Sequence, residues 1–351
     1  MISFIWGRHL VVTGLFLFLC GCDADYYLHL LQGQAKVVLD SQSIEGLLSS
    51  SLIDDKTRRK LTFIDSIRTF AQDNLGLDVD SNYTCFFDTE GQPISWNVSA
   101  CPPHHFTPYK WTFPIVGSLP YKGYFDKSKA KGERDGLQAK GYDTIMRPVS
   151  AYSTLGFLSD PVLSPMLEYS EERLVDLMLH ELTHATIYIA DHADFNESLA
   201  TFIGKEGALA FIASRHGIHS PILARIRQER IDTARFRTFL ISVTASLDSL
   251  YKQQDLPKDE ILERREHVFR EAQDRYRSLR SQFIVTNFDY FLKWEINNAQ
   301  LMSYRRYNRD LELFSSVYES NGQRLDQLVS LCKSCSDSAN PWQCLRDKIA
   351  K

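Results

Sequence analysis

Residues 171–189 contain neither proline nor glycine, and Leu174, Met178, Leu182, Ala185 and Ile189 recur at the spacing of one helical face. Such a stretch folds as a single helix with that stripe buried. At about 3.6 residues per turn, His180 and His184 then stand one above the other, on the side away from the stripe, and both imidazoles project into the same space. Two neutral imidazoles so placed can grip one cation. Glu181 is rotated by about 100° from His180, so its carboxylate falls beside such a cation and can take a proton from water.

His180-Glu181-Leu182-Thr183-His184 is the H-E-x-x-H pattern. One Zn2+ is the expected metal, because catalytic zinc takes three protein ligands and keeps a fourth position open. The candidate for the third ligand is Glu197, in Phe195-Asn196-Glu197-Ser198-Leu199-Ala200-Thr201-Phe202, which reads as the start of another helix. The polar run Asp191-His192-Ala193-Asp194 marks a chain reversal that returns Glu197 alongside His184 in a helical hairpin. Glu197 also has a plainer reading, as the last member of a capping box opened by Asp194. Both readings hold together if Asp194 or Asn196 caps the helix while Glu197 turns to the metal. Asp176, one turn before His180, is either an acceptor for an imidazole N–H or a solvated acid near a helix start. A developing oxyanion needs a further donor, for which Tyr142, Tyr152 and Tyr188 are candidates.

Around this hairpin the pattern predicts an α+β fold, mainly α, with a small sheet ahead of the catalytic hairpin and long helices after it. Residues 26–52 and 59–75 read as helices, 83–124 as short strands broken by Pro and Gly, 128–140 as a charged helix and 142–149 as a strand. Residues 222–250 and 259–288 are long charged amphipathic stretches. The 351 residues are 44% hydrophobic and 24% charged, which suits a globular protein. A formal net charge of −4, with Lys and Arg scattered, excludes a basic footprint and with it a nucleic-acid partner.

At the N-terminus, Arg8 precedes a short apolar run, residues 10–19, and then Leu19-Cys20-Gly21-Cys22. The run is shorter than the roughly twenty residues that span a bilayer, so it reads as a leader. The tetrapeptide resembles a lipobox. It implies removal of residues 1–21, lipidation of Cys22, and a chain exported to face the periplasm and held on the membrane by lipid. Asp23 resembles the signal that retains such proteins in an inner membrane. An oxidising location permits disulfides. Cys85 is expected to pair with Cys101, because they flank a hairpin of residues 83–87 and 94–98 turning at Glu90-Gly91. Cys332, Cys335 and Cys344 leave the pairing open, with one of the three free.

The H-E-x-x-H motif followed by Asn196-Glu197 resembles the gluzincin pattern, in which a Glu on the next helix completes a His2Glu site. The separation is shorter than in relatives of thermolysin and aminopeptidase N. A closer resemblance is to a bacterial family of predicted aminopeptidases, many of them lipoproteins, through Trp111-Thr-Phe-Pro-Ile-Val-Gly117, Tyr121-Lys-Gly-Tyr-Phe-Asp126, Ala151-Tyr-Ser-Thr-Leu-Gly156 and Asp160-Pro161. The resemblance implies a metallopeptidase domain over residues 22–351, with parts at 22–160, 171–213 and 220–351. It also implies His180, His184 and Glu197 as ligands, Glu181 as base, and a peptide or protein substrate. The Gly-x-Met-Glu-Asn motif that holds the free N-terminus in many gluzincin aminopeptidases is absent. The alternative is a zinc-binding lipoprotein that binds or chaperones an envelope partner without hydrolysis. A purely structural site, however, has no use for Glu181.

Overall fold

The computed structural model describes residues 24–51, 53–114, 116–149, 159–253, 255–306 and 311–349. The leader and Cys22 lie outside this range, as does Tyr152. Up to residue 163 helices alternate with short strands: α1 (Ala24–Asp40), β1 (Gln42–Ser43), α2 (Ile44–Ser49), α3 (Asp55–Leu75), β2 (Cys85–Phe87), β3 (Ser95–Cys101), β4 (Trp111–Phe113), β5 (Gly117–Leu119), β6 (Lys122–Tyr124), α4 (Lys127–Ala139), β7 (Asp143–Val149) and β8 (Val162–Leu163). Helices then dominate: α5 (Glu171–Thr186), α6 (Ala193–His216), α7 (Pro221–Tyr251), α8 (Lys258–Leu279), α9 (Asn298–Arg306), α10 (Leu311–Ser320), α11 (Leu325–Lys333) and α12 (Pro341–Ile349). This is the mainly helical α+β arrangement that the patterning predicts. Among the described residues no helix is long and apolar enough to cross a membrane.

Local chemistry sets the helix boundaries. Asp54, Asp126 and Ser170 accept backbone N–H groups at the starts of α3, α4 and α5. Gly76, at φ 66°, closes α3 in the left-handed conformation that costs glycine least. The expected helix over 26–52 is broken after Asp40. There Gln42 and Ser43 leave the helix to pair with Phe86 and Cys85, and the Ser43 hydroxyl caps α2. The stretch 259–288 is α-helical only to Leu279, followed by one 3-10 turn, Arg280–Gln282.

The strands form three small sheets. β2 pairs antiparallel with β1 and parallel with β8; β3 lies between β6 and β7, antiparallel to both; β4 and β5 form a hairpin. The expected hairpin joining 83–87 to 94–98 does not form. Glu90 and Gly91 do turn with positive φ, but both edges of β2 are taken by β1 and β8, so β3 goes to another sheet. The expected Cys85–Cys101 disulfide fails with it, and both thiols are free. Cys101 is buried, which pushes its thiol up to about 12, and it donates to the His105 carbonyl oxygen at 3.3 Å. Of the C-terminal cysteines, Cys335 pairs with Cys344 and Cys332 stays free and buried.

The main core joins α3, α5, α6 and the last three helices, through residues such as Ile67, Met178, Leu199, Ile203, Phe314 and Leu328. A second core, rich in aromatic rings, fills the space between α7, α8 and residues 288–301 around Phe236 and Tyr276. A third, smaller one lies between the β6-β3-β7 sheet and α4.

Candidate metal centre

The α5–α6 hairpin has its polar groups on one side and the main core on the other. Leu174, Val175, Met178, Leu179 and Leu182 of α5 are fully buried, as the apolar stripe requires. α5 ends three residues before the sequence pattern does. The Thr183 and Thr186 hydroxyls donate back to the Leu179 and Leu182 carbonyl oxygens, and Ile187 is extended at φ −137°. The reversal that follows is pinned by Asn196, which spans it with two hydrogen bonds. Its Oδ1 accepts the Ile189 N–H at 3.0 Å and its Nδ2 donates to the Ile189 carbonyl oxygen at 2.8 Å. Asn196 thus locks the turn rather than capping α6. Asp194 lies inside the first turn of α6, where no side-chain cap forms at His192.

Two glycines set the spacing of the hairpin. A Cβ at Gly204 would stand 2.4 Å from Asp176 Oδ1 and 3.3 Å from the His180 Cβ, and one at Gly207 would stand 2.4 Å from Leu179 Cδ1. Only glycine lets α6 come this close to α5. Asp176 therefore lies against α6, half-buried. Burial raises its carboxyl above the usual range, while the Lys205 and His180 charges oppose that shift.

The close approach brings His180, His184 and Glu197 together. The two Nε2 atoms are 3.2 Å apart, and Glu197 Oε2 is 3.5 Å from His180 Nε2 and 3.7 Å from His184 Nε2. Ligand atoms about 2.0–2.1 Å from a tetrahedral zinc stand about 3.3–3.4 Å from one another. The three spacings straddle that value, so the donor set fits one such ion without rearrangement. His184 and Glu197 are buried and His180 nearly so. Burial pushes the Glu197 carboxyl up, but the two imidazoles outweigh it and hold the group well below the usual carboxylate range. The His180 ring shows the reciprocal effect. Burial lowers its pKa, and the carboxylates of Glu197, Glu181 and Asp176 more than restore it. The Nδ1 of His184 is buried with no hydrogen-bond partner among the described residues.

Of the candidate oxyanion donors, Tyr188 feels the charge of Glu197. Its hydroxyl donates to the Val116 carbonyl oxygen at 3.0 Å, and burial, together with the Glu197 and Asp191 charges, pushes it up to about 12. Tyr142 stacks edge-on against Tyr109 in the smallest core. Tyr83 is the residue that sequence reasoning missed. It is only 3% exposed, its hydroxyl has no hydrogen-bond partner among the described residues, and its backbone sits at φ 60°. A bulky residue there is strained. It is held by its own N–H, which donates to the Asp160 carbonyl oxygen at 2.7 Å, and by Asn82, whose Oδ1 accepts the Asp160 N–H. Burial raises the Tyr83 phenol well above its ordinary value, and the Glu181 and Asp160 charges add to the rise. No periodicity or motif distinguishes a tyrosine of this kind from a strand residue.

A helical hairpin carrying H-E-x-x-H, with a glutamate of the second helix closing a His2Glu donor set, defines the class: a protein with a candidate metal-binding site. The chain belongs to the family described as "Putative aminopeptidase", whose pattern matches residues 25–342. No curated protein and no solved structure matches it.

Proposed function

We propose that this protein is a zinc-dependent peptide-bond hydrolase, acting as an aminopeptidase, exported and anchored at the periplasmic face of a membrane through lipid on Cys22. The observation that carries the catalytic reading is the set of three donor atoms at the mutual spacing of tetrahedral ligands, with Glu181 on the same helical turn. Family membership supports a peptide as substrate.

Zinc held by His180, His184 and Glu197 would supply a Lewis acid that polarises the scissile carbonyl and makes water acidic near neutral pH. The remaining chemistry belongs to the chain. Glu181 takes the proton of the attacking water and returns it to the leaving amine. Asn196 fixes the turn from which Glu197 projects, and Gly204 fixes the distance between the two ligand-bearing helices. Tyr188, which feels the Glu197 charge, is held in place by the Val116 carbonyl oxygen.

The test is metal content and peptide cleavage by the wild type, Glu181→Gln and Glu197→Ala. Wild type binding one zinc and releasing single N-terminal residues, with Glu181→Gln retaining metal but not activity, sustains the reading. Wild type with zinc but only internal cuts would replace aminopeptidase with endopeptidase. A fully active Glu181→Gln, or wild type that binds no zinc, would remove the hydrolase reading. Wild type that binds zinc and cleaves nothing would favour a non-catalytic zinc-binding lipoprotein.

A further inference from the structure

Helix α1 is docked by one face and leaves an apolar face uncovered. On the docked side, the Tyr26 hydroxyl donates to the Gly123 carbonyl oxygen at 3.1 Å, and His29 Nε2 accepts the Phe125 and Asp126 N–H groups at 3.1 and 3.4 Å. Gly33 lies against the Phe125 ring so closely that a Cβ would overlap it, and Val37 is buried. Residues 26, 29, 33 and 37 form one helical stripe, so the helix cannot rotate without losing all of these contacts.

The opposite face carries Leu28, Leu31, Val38 and Leu39, which are 51, 64, 53 and 81% exposed, with Ala35 exposed among them. Single exposed leucines are ordinary. Large apolar side chains sharing the outer face of one fixed helix form a patch that needs an occupant. Lys36 is exposed at the margin of the patch, and Asp25, the acid nearest the start of the helix, is paired with Lys129 at 2.6 Å.

The occupant follows from where the helix begins. Cys22 precedes Ala24 by two residues, and a chain covers at most about 3.6 Å per residue. If Cys22 carries lipid, the start of α1 is held within a short step of the headgroups, and any protein seeking the leucine face would compete with a bilayer already there. The acyl chains of a lipobox cysteine suffice for retention, so contact through the leucine face adds orientation. Resting on the lipid-anchor reading above, we propose that α1 lies in the membrane interface, with Leu28, Leu31, Val38 and Leu39 among the acyl chains and Lys36 at the level of the lipid phosphates. The catalytic hairpin is then held in one orientation over the bilayer instead of swinging on a tether.

The experiment is site-specific photocrosslinking of the full chain in the membranes of cells that produce it, with p-benzoylphenylalanine replacing Leu31, Leu39 or, as control, the exposed Glu263 of α8. Mass spectrometry of the same material reports whether Cys22 is acylated. Phospholipid adducts at Leu31 and Leu39 and none at Glu263, with acylated Cys22, are expected. Acylated Cys22 with no lipid adducts, or with crosslinks to a second copy or another protein instead, overturns the membrane-facing helix and leaves the anchor standing. Lipid adducts with unmodified Cys22 overturn the anchor and leave the helix face standing. Unmodified Cys22 without adducts overturns both.

Discussion

Glu197 in the α5–α6 hairpin and Asp232 in α7 are both buried carboxylates, each held below the ordinary carboxylate pKa, yet their surroundings differ. Asp232 Oδ2 accepts three backbone N–H groups, from Ile284, Val285 and Thr286 at 3.1, 2.7 and 3.0 Å, and Oδ1 faces Gln228 and Arg235 at 3.3 and 3.4 Å. Burial pushes its carboxyl up and these donors bring it down. The chain after α8 is folded onto that acid, which completes its own shell. Glu197 has two imidazoles at 3.5 and 3.7 Å, beyond the usual hydrogen-bond distance and shared with each other. A buried carboxylate whose shell is completed by backbone N–H groups, an amide and a guanidinium is structural. One whose partners are imidazoles spaced around a common centre could hold a cation.

Exchanging the two carboxylates for neutral groups separates these roles most sharply. Glu197→Ala is expected to abolish zinc retention, measured by metal analysis after dialysis, and peptidase activity with it. If the variant still binds one zinc with unchanged affinity, the contrast drawn here collapses. Glu181→Gln tests the neighbouring acid that has no part in holding the metal. Zinc should remain while the rate falls by about 10²–10⁴-fold, the usual contribution of a positioned general base, read from initial rates on peptides.

Asp232→Asn should do the reverse, keeping zinc and activity per folded molecule while lowering stability by about 2–4 kcal/mol in urea titrations. That range reflects charge-assisted hydrogen bonds lost and backbone donors left poorly matched. Its pH dependence has a fixed sign. A carboxyl depressed in the folded state contributes stability above its ordinary value of 3.8 and loses it as pH falls through the folded value. The advantage of wild type over Asp232→Asn should therefore be full at pH 7 and shrink in strongly acidic buffer. The smallest effect is expected at Tyr83. Tyr83→Phe keeps the ring and removes a buried hydroxyl without a partner, so stability should stay within about 1 kcal/mol of wild type in the same titrations.

The helices were legible in the sequence because their information is local. The apolar stripe of α5, the placement of His180 and His184, and the polar run before Glu197 are each contained within a few turns. The sheets were not. Their strands are as short as two residues, and pairings such as Phe86 with Val162 or Asn97 with Arg147 join distant segments by backbone groups that carry no side-chain signature. The Cys85–Cys101 expectation failed for this reason, since a correct turn at Glu90-Gly91 leads into two different sheets. Within the site, the three residues that come together were each visible in the pattern. The close approach at Gly204 and the strained Tyr83 depend on what lies across a helix interface or a loop, which one segment alone does not reveal.

The turn of the α5–α6 hairpin is also tied to the β4–β5 hairpin at two points, one on each side of Gly117. Tyr188 donates to the Val116 carbonyl oxygen, and Asp191, at φ 65°, accepts the Ser118 N–H at 2.8 Å. A Cβ at Gly117 would collide with Asp191. The two ties act as a ratchet with its pawl engaged: β5 cannot advance by one residue past the ligand-bearing turn without breaking both.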